Sequence, residues 1–579
     1  MRSPSTMLEA MMAAAELPEN IGIRFHRTLT QTEFLSFADL DRRARNDALR
    51  LHAEGMRPGE RALLVFDAGM EFVRALYAAF YAGLIVVPVP VTASESADTA
   101  RARIQAFAAD CGSRTALTTS ANEGRLHGCD PQIVAYSLDE APVHAVPAGL
   151  EWTPTGTTAE NVALILYTSG STGAPKGVQV SHGNLTANQR SIAAGALLDE
   201  GSVLVGWLPH YHDMGLGMFM QAIYCGFQLV FTAPAQFLRR PVTWLRLITT
   251  YGATVSVAPD FAYNLCTKLV SDEQLAELDL STLRTLITGA EPVRAATIDR
   301  FVERFAPAGL APEAFTPAYG MAETTLLVTA KSAGSPIRRV TVDADSLERG
   351  LVVPGQGAGA RELVSCGVPD AVHEVAIVDP ATARRRPPGR VGEIWVSGPS
   401  VSQGYWGQAE ITSLSFGARL DGDARPYLRT GDLGFLDDGE LVVTGRLKDL
   451  IIVRGRNIEP TDIERVCSRE LGTPDDCAQT AFEWGDHGVA VVAETDAGSL
   501  ARAVERIDAT REHLSRQFSV QPLSLVLVRR GAVPRTTSGK VQRRATRALL
   551  SAGALPMLRV AGPHAVDPVG PAPLHQVAR

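Results

Sequence analysis

A loop in the first third of the chain, YTSGSTGAPKGV at residues 167–178, carries the residue types that bind phosphate. It follows the apolar run VALIL, and its glycines allow consecutive backbone N–H groups to turn inward onto anionic oxygens. Hydroxyl donors and one positive charge come from Thr168, Ser169, Ser171, Thr172 and Lys176. The spacing differs from a Walker A loop, which requires Gly-Lys-Ser/Thr four residues after a glycine. We predict a phosphate-binding loop of another type, the alternative being a flexible solvent turn.

A second candidate is Lys540, in the segment VPRTTSGKVQR at residues 533–543. Lysine is rare in this chain, at five of 55 basic residues, so almost every other positive charge is an arginine. Lysine places a compact point charge on a flexible stem, whereas arginine presents a rigid planar fork. A mobile point charge suits a phosphate or carboxylate that changes position. The alternative is a solvated surface lysine in a polar turn.

The elements that position these residues are predicted from the hydrophobic pattern. Residues 37–54, FADLDRRARNDALRLHAE, have helical spacing, and ERALLVF followed by MEFVRALYAAFYAG predicts a strand and a helix. Apolar strands that end in Gly, Pro or polar loops recur at residues 162–170, 202–209, 228–234, 253–260 and 283–293. Alternating strands and helices form parallel sheets, with ligands at the carboxyl ends of the strands. The predicted fold class is therefore α/β, with mostly parallel sheets covered by helices.

The sequence pattern changes after about residue 390, where short apolar runs separated by turn residues predict a β-rich subdomain. We expect a large N-terminal domain at 1–447, a boundary at Lys448, and a small α+β C-terminal domain at 448–550. Residues 551–579 are rich in Pro, Ala and Gly and are predicted to be a disordered tail.

Composition excludes several classes of protein. A hydrophobic content of 45% with 20% charged residues is typical of ordinary globular proteins. The net charge of −8 argues against a nucleic-acid-binding protein, which would need a clustered basic surface. The longest apolar run, residues 82–91, is too short to span a bilayer and is predicted to be a buried strand. The cysteines form no Cys-x-x-Cys pair and the N-terminus lacks a secretory signal, so we expect a cytoplasmic protein.

The loop at 167–178 resembles the signature loop of the adenylate-forming superfamily, which includes acyl-CoA synthetases, peptide-synthetase adenylation domains and firefly luciferase. The resemblance continues through TGAEPV (288–293), PAYGMAETT (317–325), YLRTGDLG (427–434), TGRLKDLIIVRGRNIEP (444–460) and PRTTSGKVQR. It implies a large AMP-binding domain with acyl and ATP sites. It also implies a small mobile domain that rotates about a hinge at Lys448 between adenylation and acyl transfer.

The resemblance assigns roles to individual residues. It implies that Tyr319 stacks on adenine, that Glu323 holds magnesium, and that Asp432 accepts hydrogen bonds from both ribose hydroxyls. The nucleotide-binding residues that it implies are Thr168, Ser169, Gly170, Ser171, Thr172, Gly173, Lys176, Gly289, Ala290, Glu291, Tyr319, Gly320, Met321, Ala322, Asp432 and Arg446. Lys540 is implied as the catalytic lysine, which explains a lysine at this position.

The physical chemistry agrees with these roles. Adenylation joins two anions, a carboxylate and the α-phosphate of ATP, so catalysis depends on positioning and charge neutralisation. Lys540 can bridge the two groups as they meet. Glu323 offers a hard oxygen to Mg²⁺, which usually takes one or two protein carboxylates beside phosphates and waters. The predicted cofactors are therefore ATP and Mg²⁺. An ionised carboxylate needs no general base, so we expect His212 to help catalysis by shaping the junction of the acyl and nucleotide pockets.

Three segments depart from most of the superfamily, namely GWLPHYHDMGLGMFM (206–220), APDFAYNLC (258–266) and PAYGMAETTL (317–326), and LVSCGVP (363–369) and RGRNIEP (454–460) accompany them. Tyr319 and Gly367 are also 367 − 319 = 48 residues apart, longer than we expect of an ordinary acyl-CoA synthetase. Both features resemble the fatty acyl-AMP ligases, which transfer the acyl group to the phosphopantetheine arm of an acyl carrier protein. Their insertion, here at about 335–362, is associated with poor use of coenzyme A. The alternative is a surface-loop insertion of small entropic cost.

The resemblance implies a fatty acid substrate and a separate phosphopantetheinylated carrier protein for polyketide, lipopeptide or complex lipid synthesis, with the enzyme as a monomer. Ser346 in DADSLERG is not a carrier attachment site, because Asp343 stands where that motif requires glycine. Alternative functions are an acyl-CoA ligase, an amino-acid adenylating domain anchored by Asp260, and a non-catalytic nucleotide-binding homologue. The last is disfavoured by the joint presence of Lys176, Glu323, Asp432, Arg446 and Lys540.

Overall fold

The computed structural model describes residues 3–92, 95–129, 132–139, 151–168, 176–453, 456–474, 477–485, 488–536 and 539–562. The strands of the large domain, in chain order, are β1 (Gly22–His26), β2 (Thr32–Ser36), β3 (Arg61–Leu64), β4 (Ile85–Pro88), β5 (Thr115–Thr118), β6 (Val134–Ser137), β7 (Val162–Thr168), β8 (Lys176–Ser181), β9 (Val203–Gly206), β10 (Gln228–Thr232), β11 (Val255–Ala258), β12 (Thr285–Thr288), β13 (Phe315–Gly320), β14 (Leu327–Ala330), β15 (Arg339–Asp343), β16 (Ala360–Val364), β17 (Val368–Pro369), β18 (Glu374–Val378), β19 (Gly392–Ser397), β20 (Leu428–Asp437) and β21 (Glu440–Arg446).

The α-helices of this domain are α1 (Met7–Ala14), α2 (Phe37–Ala53), α3 (Met70–Tyr81), α4 (Ala97–Cys111), α5 (His182–Gly195), α6 (Asp213–Cys225), α7 (Pro234–Arg239), α8 (Val242–Tyr251), α9 (Asp260–Leu269), α10 (Asp272–Leu275), α11 (Ala295–Phe305), α12 (Ala344–Glu348) and α13 (Ala409–Phe416). Several begin at capping side chains. Ser36 accepts the N–H of Asp39 at the start of α2, and Ser181 and Asn184 form a reciprocal capping box at α5. None of the helices in the described ranges is long and apolar enough to cross a membrane.

Two mostly parallel sheets form the body of the large domain. In the described residues, one has the order β17-β14-β13-β12-β11-β9-β10-β1-β2 and the other β6-β5-β3-β4-β7-β8. Strands β9 to β13 and β1 pair in parallel, as do β3 to β7, whereas the outer strands β2, β8, β14 and β17 pair antiparallel. One continuous core joins both sheets through α3 and α6. The predicted α/β class and the buried strand within 82–91 are confirmed.

The β-rich subdomain is a separate antiparallel sheet of order β18-β19-β20-β21. The predicted insertion precedes it and is ordered, with β15 and β16 forming an antiparallel pair and α12 between them. Val342, Leu347 and Leu363 of this segment pack on Phe435 and Val442 of the subdomain. Because this apolar face is buried, the segment is a packed element rather than a solvated loop.

The small domain contains β22 (Ile451–Val453), β23 (Arg456–Ile458), β24 (Gln479–Trp484), β25 (Gly488–Thr495), β26 (Leu523–Arg529), β27 (Met557–Ala561), α14 (Pro460–Leu471), α15 (Leu500–Gln517) and α16 (Arg543–Ser551). Its main sheet has the order β24-β25-β26-β27 in the described part of the chain. The prediction of a tail from residue 551 is wrong for 551–562, because β27 pairs with β26 and Ala561 is buried in the domain core. Residues 563–579 lie outside the described residues. Lys448 lies between β21 and β22.

Ion pairs join the insertion to the small domain. Arg361 of β16 lies 2.8 Å from Asp462 of α14, and Arg456 of β23 lies 2.5 Å from Glu348 of α12. Another arginine of the insertion, Arg339, pairs instead with Asp299 of α11 in the large domain. The insertion therefore forms ion pairs with both the large and the small domain.

Candidate active site

A cleft of about 2080 Å³ opens between the two domains and is bordered by most of the predicted site residues. Those that line it are Lys176, Gly289, Ala290, Glu291, Tyr319, Gly320, Met321, Ala322, Glu323, Asp432, Arg446, Lys448 and Lys540. Thr168 ends β7 opposite Lys176 of β8. Ser169, Gly170, Ser171, Thr172 and Gly173 lie outside the described residues. Segments more than three hundred residues apart in sequence thus meet at one surface.

Backbone geometry at the ends of β12 and β13 explains the residue types there. A Cβ atom at Gly320 would lie 1.7 Å from the carbonyl oxygen of Leu326, so only glycine fits. Ala290 has a φ of 64°, in the left-handed region that residues with a Cβ rarely adopt. Thr325 has a φ of 70°, which is rarer still for a β-branched residue. Ala290 lines the cleft, and Thr325 lies two residues after Glu323, which also lines it.

Glu323 is held by a tyrosine that the sequence analysis did not single out. The hydroxyl of Tyr405 donates to Oε1 of Glu323 at 2.8 Å, and Nζ of Lys176 lies 5.0 Å from the centroid of the Tyr405 ring. Burial raises the pKa of the Glu323 carboxyl. Burial and, after it, the charge of Lys448 lower the pKa of the Lys176 ammonium, against the effect of Glu323. Lys176, Tyr405, Glu323 and Lys448 therefore form one charged cluster.

A buried hydrogen-bond chain supports the backbone around Glu323. Thr325 Oγ1 donates to the carbonyl of Ser400 at 2.7 Å, and Ser400 Oγ lies 2.6 Å from Nε2 of His373. Nδ1 of His373 lies 2.5 Å from Asp370. This Ser-His-Asp order matches a hydrolase triad, but Ser400 is 0% exposed, so no substrate reaches its hydroxyl. The chain instead fixes the turn that carries Glu323.

The predicted ribose residue, Asp432, is bound from two sides. Its Oδ1 accepts from Nε of Arg446 at 2.7 Å, and its Oδ2 accepts from the Tyr319 hydroxyl at 2.7 Å. The pairing of β20 with β21 places Asp432 directly opposite Arg446. Burial raises the pKa of Tyr319 well above its ordinary value, so this hydroxyl remains a donor. Each carboxylate oxygen retains a further lone pair, so the carboxylate can also accept from a ribose.

Lys540 reaches the cleft from the small domain. Its loop is closed by the Thr536 N–H, which donates to the Lys540 carbonyl at 2.8 Å, and the Lys540 N–H donates to Thr536 Oγ1 at 3.1 Å. The charge of Lys540 acts on Glu291, whose pKa is raised by burial and by Asp260 and is lowered by Lys540. The segment that contains Lys540 and the segment TGAEPV (288–293) therefore line the same cleft from different domains.

An apolar part of the same cavity, which we call the tunnel, is lined by one face of α6 in the large domain. Its wall is formed by Ile192, Ala196, Leu198, Leu204, Met214, Met218, Val255, Val257, Ile287, Leu326 and Leu327. Gly217 makes room for it, because a Cβ there would lie 2.7 Å from the Leu326 side chain. Phe219 and Met220 are buried in the core instead. His212 occupies the N-cap position of α6, one residue before Asp213 at the cleft.

Comparisons with known proteins show the family to which this chain belongs. Residues 12–406 match the family described as AMP-binding enzyme. The medium-chain-fatty-acid–acyl-carrier-protein ligase JamA of Moorena producens is 37% identical over 90% of each chain. The long-chain-fatty-acid–AMP ligase FadD26 of Mycobacterium tuberculosis is 37% identical over 84% of this chain and 86% of its own. This chain belongs to the fatty acyl-AMP ligases.

Another relative of this fatty acyl-AMP ligase is FadD25 of Mycobacterium tuberculosis, provisionally named a fatty-acid–CoA ligase, at 36% identity over 88% of this chain and 91% of its own. Among solved structures, the fatty acyl-adenylate ligase of Legionella pneumophila in complex with acyl adenylate and pyrophosphate has a TM-score of 0.75 and 33% identity, covering 96% of this chain and 98% of its own. These matches extend across both domains, so they include the small domain that carries Lys540.

Proposed function

We propose that this protein uses ATP to convert a fatty acid into fatty acyl-AMP and pyrophosphate, and then transfers the acyl group to the phosphopantetheine thiol of a separate acyl carrier protein. The observation that carries the proposal is one cavity that combines charged residues of the cleft with an apolar tunnel and that Lys540 also lines. The names of JamA and FadD26 support the two halves of the reaction. Because ATP is the co-substrate, we place the reaction in the cytoplasm.

In the first step, a carboxylate oxygen attacks the α-phosphorus, and the bond from that phosphorus to the bridging oxygen of the β-phosphate breaks. Tyr319 and Asp432 hold the base and the ribose, with Arg446 fixing the Asp432 carboxylate. Lys540 neutralises the two anions as they approach. Pyrophosphate leaves with the electron pair, and Lys176 offsets its charge.

Magnesium fits the Glu323 position. The described residues contain no cluster of three or more His, Cys, Asp or Glu side chains able to enclose a metal. A single carboxylate beside a phosphate site is the arrangement that Mg²⁺ ordinarily takes. Tyr405 donates to Oε1 of Glu323, so it would help to orient the carboxylate that would hold the ion. When bound, Mg²⁺ neutralises phosphate charge in the transition state.

In the second step, the thiol of the carrier attacks the acyl carbonyl, the thiol proton is lost, and AMP leaves. We infer that the small domain first rotates about Lys448 and removes Lys540 from the cleft. The ion pairs of the insertion oppose this movement until the carrier docks. A residual coenzyme A activity, as the name of FadD25 suggests for that relative, is the second candidate function.

The amino-acid alternative is disfavoured by the environment of Asp260. This side chain is 4% exposed and accepts hydrogen bonds from Thr297 at 3.0 Å and from Asn264 at 3.1 Å. Its carboxylate is therefore already engaged inside the protein and is a poor anchor for a substrate ammonium group.

The deciding experiment incubates the purified protein with ATP, Mg²⁺ and a fatty acid, detects acyl-AMP by mass spectrometry, and then adds coenzyme A or a phosphopantetheinylated carrier separately. We expect adenylate that persists with coenzyme A and disappears with the carrier. Rapid acyl-CoA formation would identify an ordinary synthetase, and ATP binding without pyrophosphate release would indicate a non-catalytic homologue.

The matched variant is Lys540→Ala. We expect adenylate formation to fall by about a hundredfold or more, because the charge that joins carboxylate and phosphate is lost. Transfer from chemically supplied acyl-AMP to the carrier should continue, because Lys540 has left the cleft in that step. A variant that loses both steps equally would contradict the separate role of Lys540.

A further inference from the structure

A buried amide interrupts the apolar wall of the acyl tunnel. Gln221 lies on the same face of α6 as Met214, Gly217 and Met218, at helical spacing, and it lines the same cavity. Only 2% of its surface is exposed. Fatty acyl chains offer methylene groups to such a wall, so a leucine at this position would serve an unsubstituted chain better.

The amide is only partly satisfied by the protein. Nε2 of Gln221 donates to the sulfur of Cys225 at 3.0 Å, and sulfur is a weak acceptor. Oε1 of Gln221 has no hydrogen-bond partner among the residues that the structure describes. An unpartnered buried polar atom is costly, and because Gln221 also lines the cavity, a bound ligand can supply the missing partner.

The position of Gln221 along the helix sets its depth. It lies seven residues beyond Met214, which corresponds to about 10 Å along α6. An extended alkyl chain, with C–C bonds of about 1.5 Å in a zigzag, advances by about 1.3 Å per carbon. A chain that lies parallel to α6 would therefore meet the amide about eight carbons beyond the point at which it passes Met214.

We propose that the tunnel of this enzyme ends in a polar subsite formed by Gln221, and that its preferred substrate is a medium-chain acid with a hydroxyl group near the distal end. A hydroxyl both donates and accepts, so it completes the amide in either orientation of the side chain. This inference rests on the proposed function, because it concerns the chain of the fatty acid that is adenylated.

Selectivity follows from the same unpaired atom. A site that hydrogen-bonds a substrate hydroxyl discriminates against the analogue that lacks the hydroxyl, because the bound analogue leaves the polar group of the protein buried without a hydrogen-bond partner. A methylene chain at Gln221 leaves Oε1 unpaired and excludes the water that could otherwise reach it. The discrimination therefore belongs to the substrate's distal end and not to its carboxyl group.

The test compares acids of about six to about twelve carbons with their terminally hydroxylated counterparts, using pyrophosphate release by the full-length protein. At one chain length we expect kcat/KM to favour the hydroxylated acid by about tenfold or more. In Gln221→Leu this preference should be lost or reversed. The ratio of the two acids in one preparation is independent of the folded fraction, so a partly unfolded variant still gives an answer.

Gln189 of α5 supplies a matched control. It is 1% exposed, its Oε1 also has no partner among the described residues, and it does not line the cavity. Gln189→Leu should leave the ratio of hydroxylated to unsubstituted acid unchanged. The proposal is overturned if the wild type prefers unsubstituted acids at every length, as it would with a bound water on Gln221, or if both variants change the ratio equally. Failure to adenylate any acid would overturn the proposed function and this inference together.

Discussion

The hydroxyl of Tyr405 is the contact that orders the charges at the base of the cleft. It donates to Glu323 while its ring faces the ammonium of Lys176, so one side chain positions both a carboxylate and a cation. A hydrogen bond to a charged group in a partly buried site is stronger than one between neutral groups. The orientation of Glu323 therefore depends on a residue that need not touch any substrate.

Replacing Tyr405 by Phe removes this hydrogen bond and keeps the ring beneath Lys176. We expect kcat/KM for adenylation to fall by about tenfold, because hydrogen bonds to charged groups contribute about 1.5–3 kcal/mol. The magnesium concentration at half-maximal rate should rise as well, and a magnesium titration of pyrophosphate release measures both. The control is Tyr427→Phe, which removes a tyrosine–carboxylate bond to Asp423 away from the cleft. Equal losses in the two variants would contradict the role assigned to Tyr405.

Most residues of the cleft could be predicted from the sequence because they lie in short contiguous motifs, as the run from Tyr319 to Glu323 does. Tyr405 could not, since it lies 82 residues from Glu323 and no local spacing connects the two. Gln221 follows the motif that contains His212, but its helical face is defined only once α6 is packed. Contacts between distant segments are set by tertiary packing, which periodicity does not encode.

At the scale of elements, the insertion contacts both the large domain and the small domain. Its apolar side is fixed to the β-rich subdomain, and its arginine and glutamate side chains reach the small domain. Each ion pair is partly exposed and contributes little alone, about 0.2–1 kcal/mol. Several together can still bias an equilibrium between two domain positions, because that equilibrium is shifted by small energies.

The double variant Asp462→Asn with Glu348→Gln removes the acidic partner from both interdomain ion pairs and conserves the shape of each side chain. We expect discharge of the adenylate by coenzyme A to accelerate by about two- to tenfold, as the sum of two weak pairs allows. Stopped-flow or quenched formation of acyl-CoA measures the rate. Asp299→Asn is the control, because it releases Arg339 of the same insertion from the large domain only. A faster rate in the control would show that loosening the insertion, and not the domain contact, is responsible.

The elements themselves were predictable to different degrees. The apolar runs that became β7 and β9 to β12 were recognisable because buried parallel strands are continuously hydrophobic. Strand β27 was missed, since Met557–Ala561 is only five residues long and stands between a proline and a Gly-Pro pair, which are typical of turns. Its stability comes from pairing with β26, a contact more than twenty residues away in sequence.

At the scale of the whole molecule, one buried carboxyl group links proton binding to domain position. Glu459 stands at the start of α14, is 8% exposed, and lies so close to β21 that a Cβ on Gly445 would be 1.9 Å from its Oε2. Burial raises the pKa of Glu459 from 4.5 to about 8. Arg361 and Arg543 oppose this rise in the pKa, whereas Asp462 and Asp449 add to it.

The sign of the pH effect follows from this raised pKa. The domain arrangement that buries Glu459 binds the Glu459 proton more tightly than an arrangement that exposes this residue. The stability of the buried arrangement is therefore unaffected below about pH 4.5 and decreases progressively up to about pH 8. We expect the fraction of molecules in this domain arrangement to fall across that window. Energy transfer between labels on the two domains measures it. In Glu459→Gln the fall should disappear, and an unchanged pH profile would refute the link.

The placement of the lysines has a chemical consequence. Lys176, Lys268, Lys448 and Lys540 line the cleft, and the fifth lysine, Lys331, is buried with its ammonium donating to three backbone carbonyls. An acyl-adenylate is a mixed anhydride that forms amides with neutral amines, whereas guanidinium groups stay protonated and do not react. The arginine-rich surface is therefore inert toward the product. An acyl-adenylate that meets no thiol acceptor would instead acylate the lysines of the cleft. Each acyl group that is not transferred to a thiol would then remain on the enzyme as a stable amide.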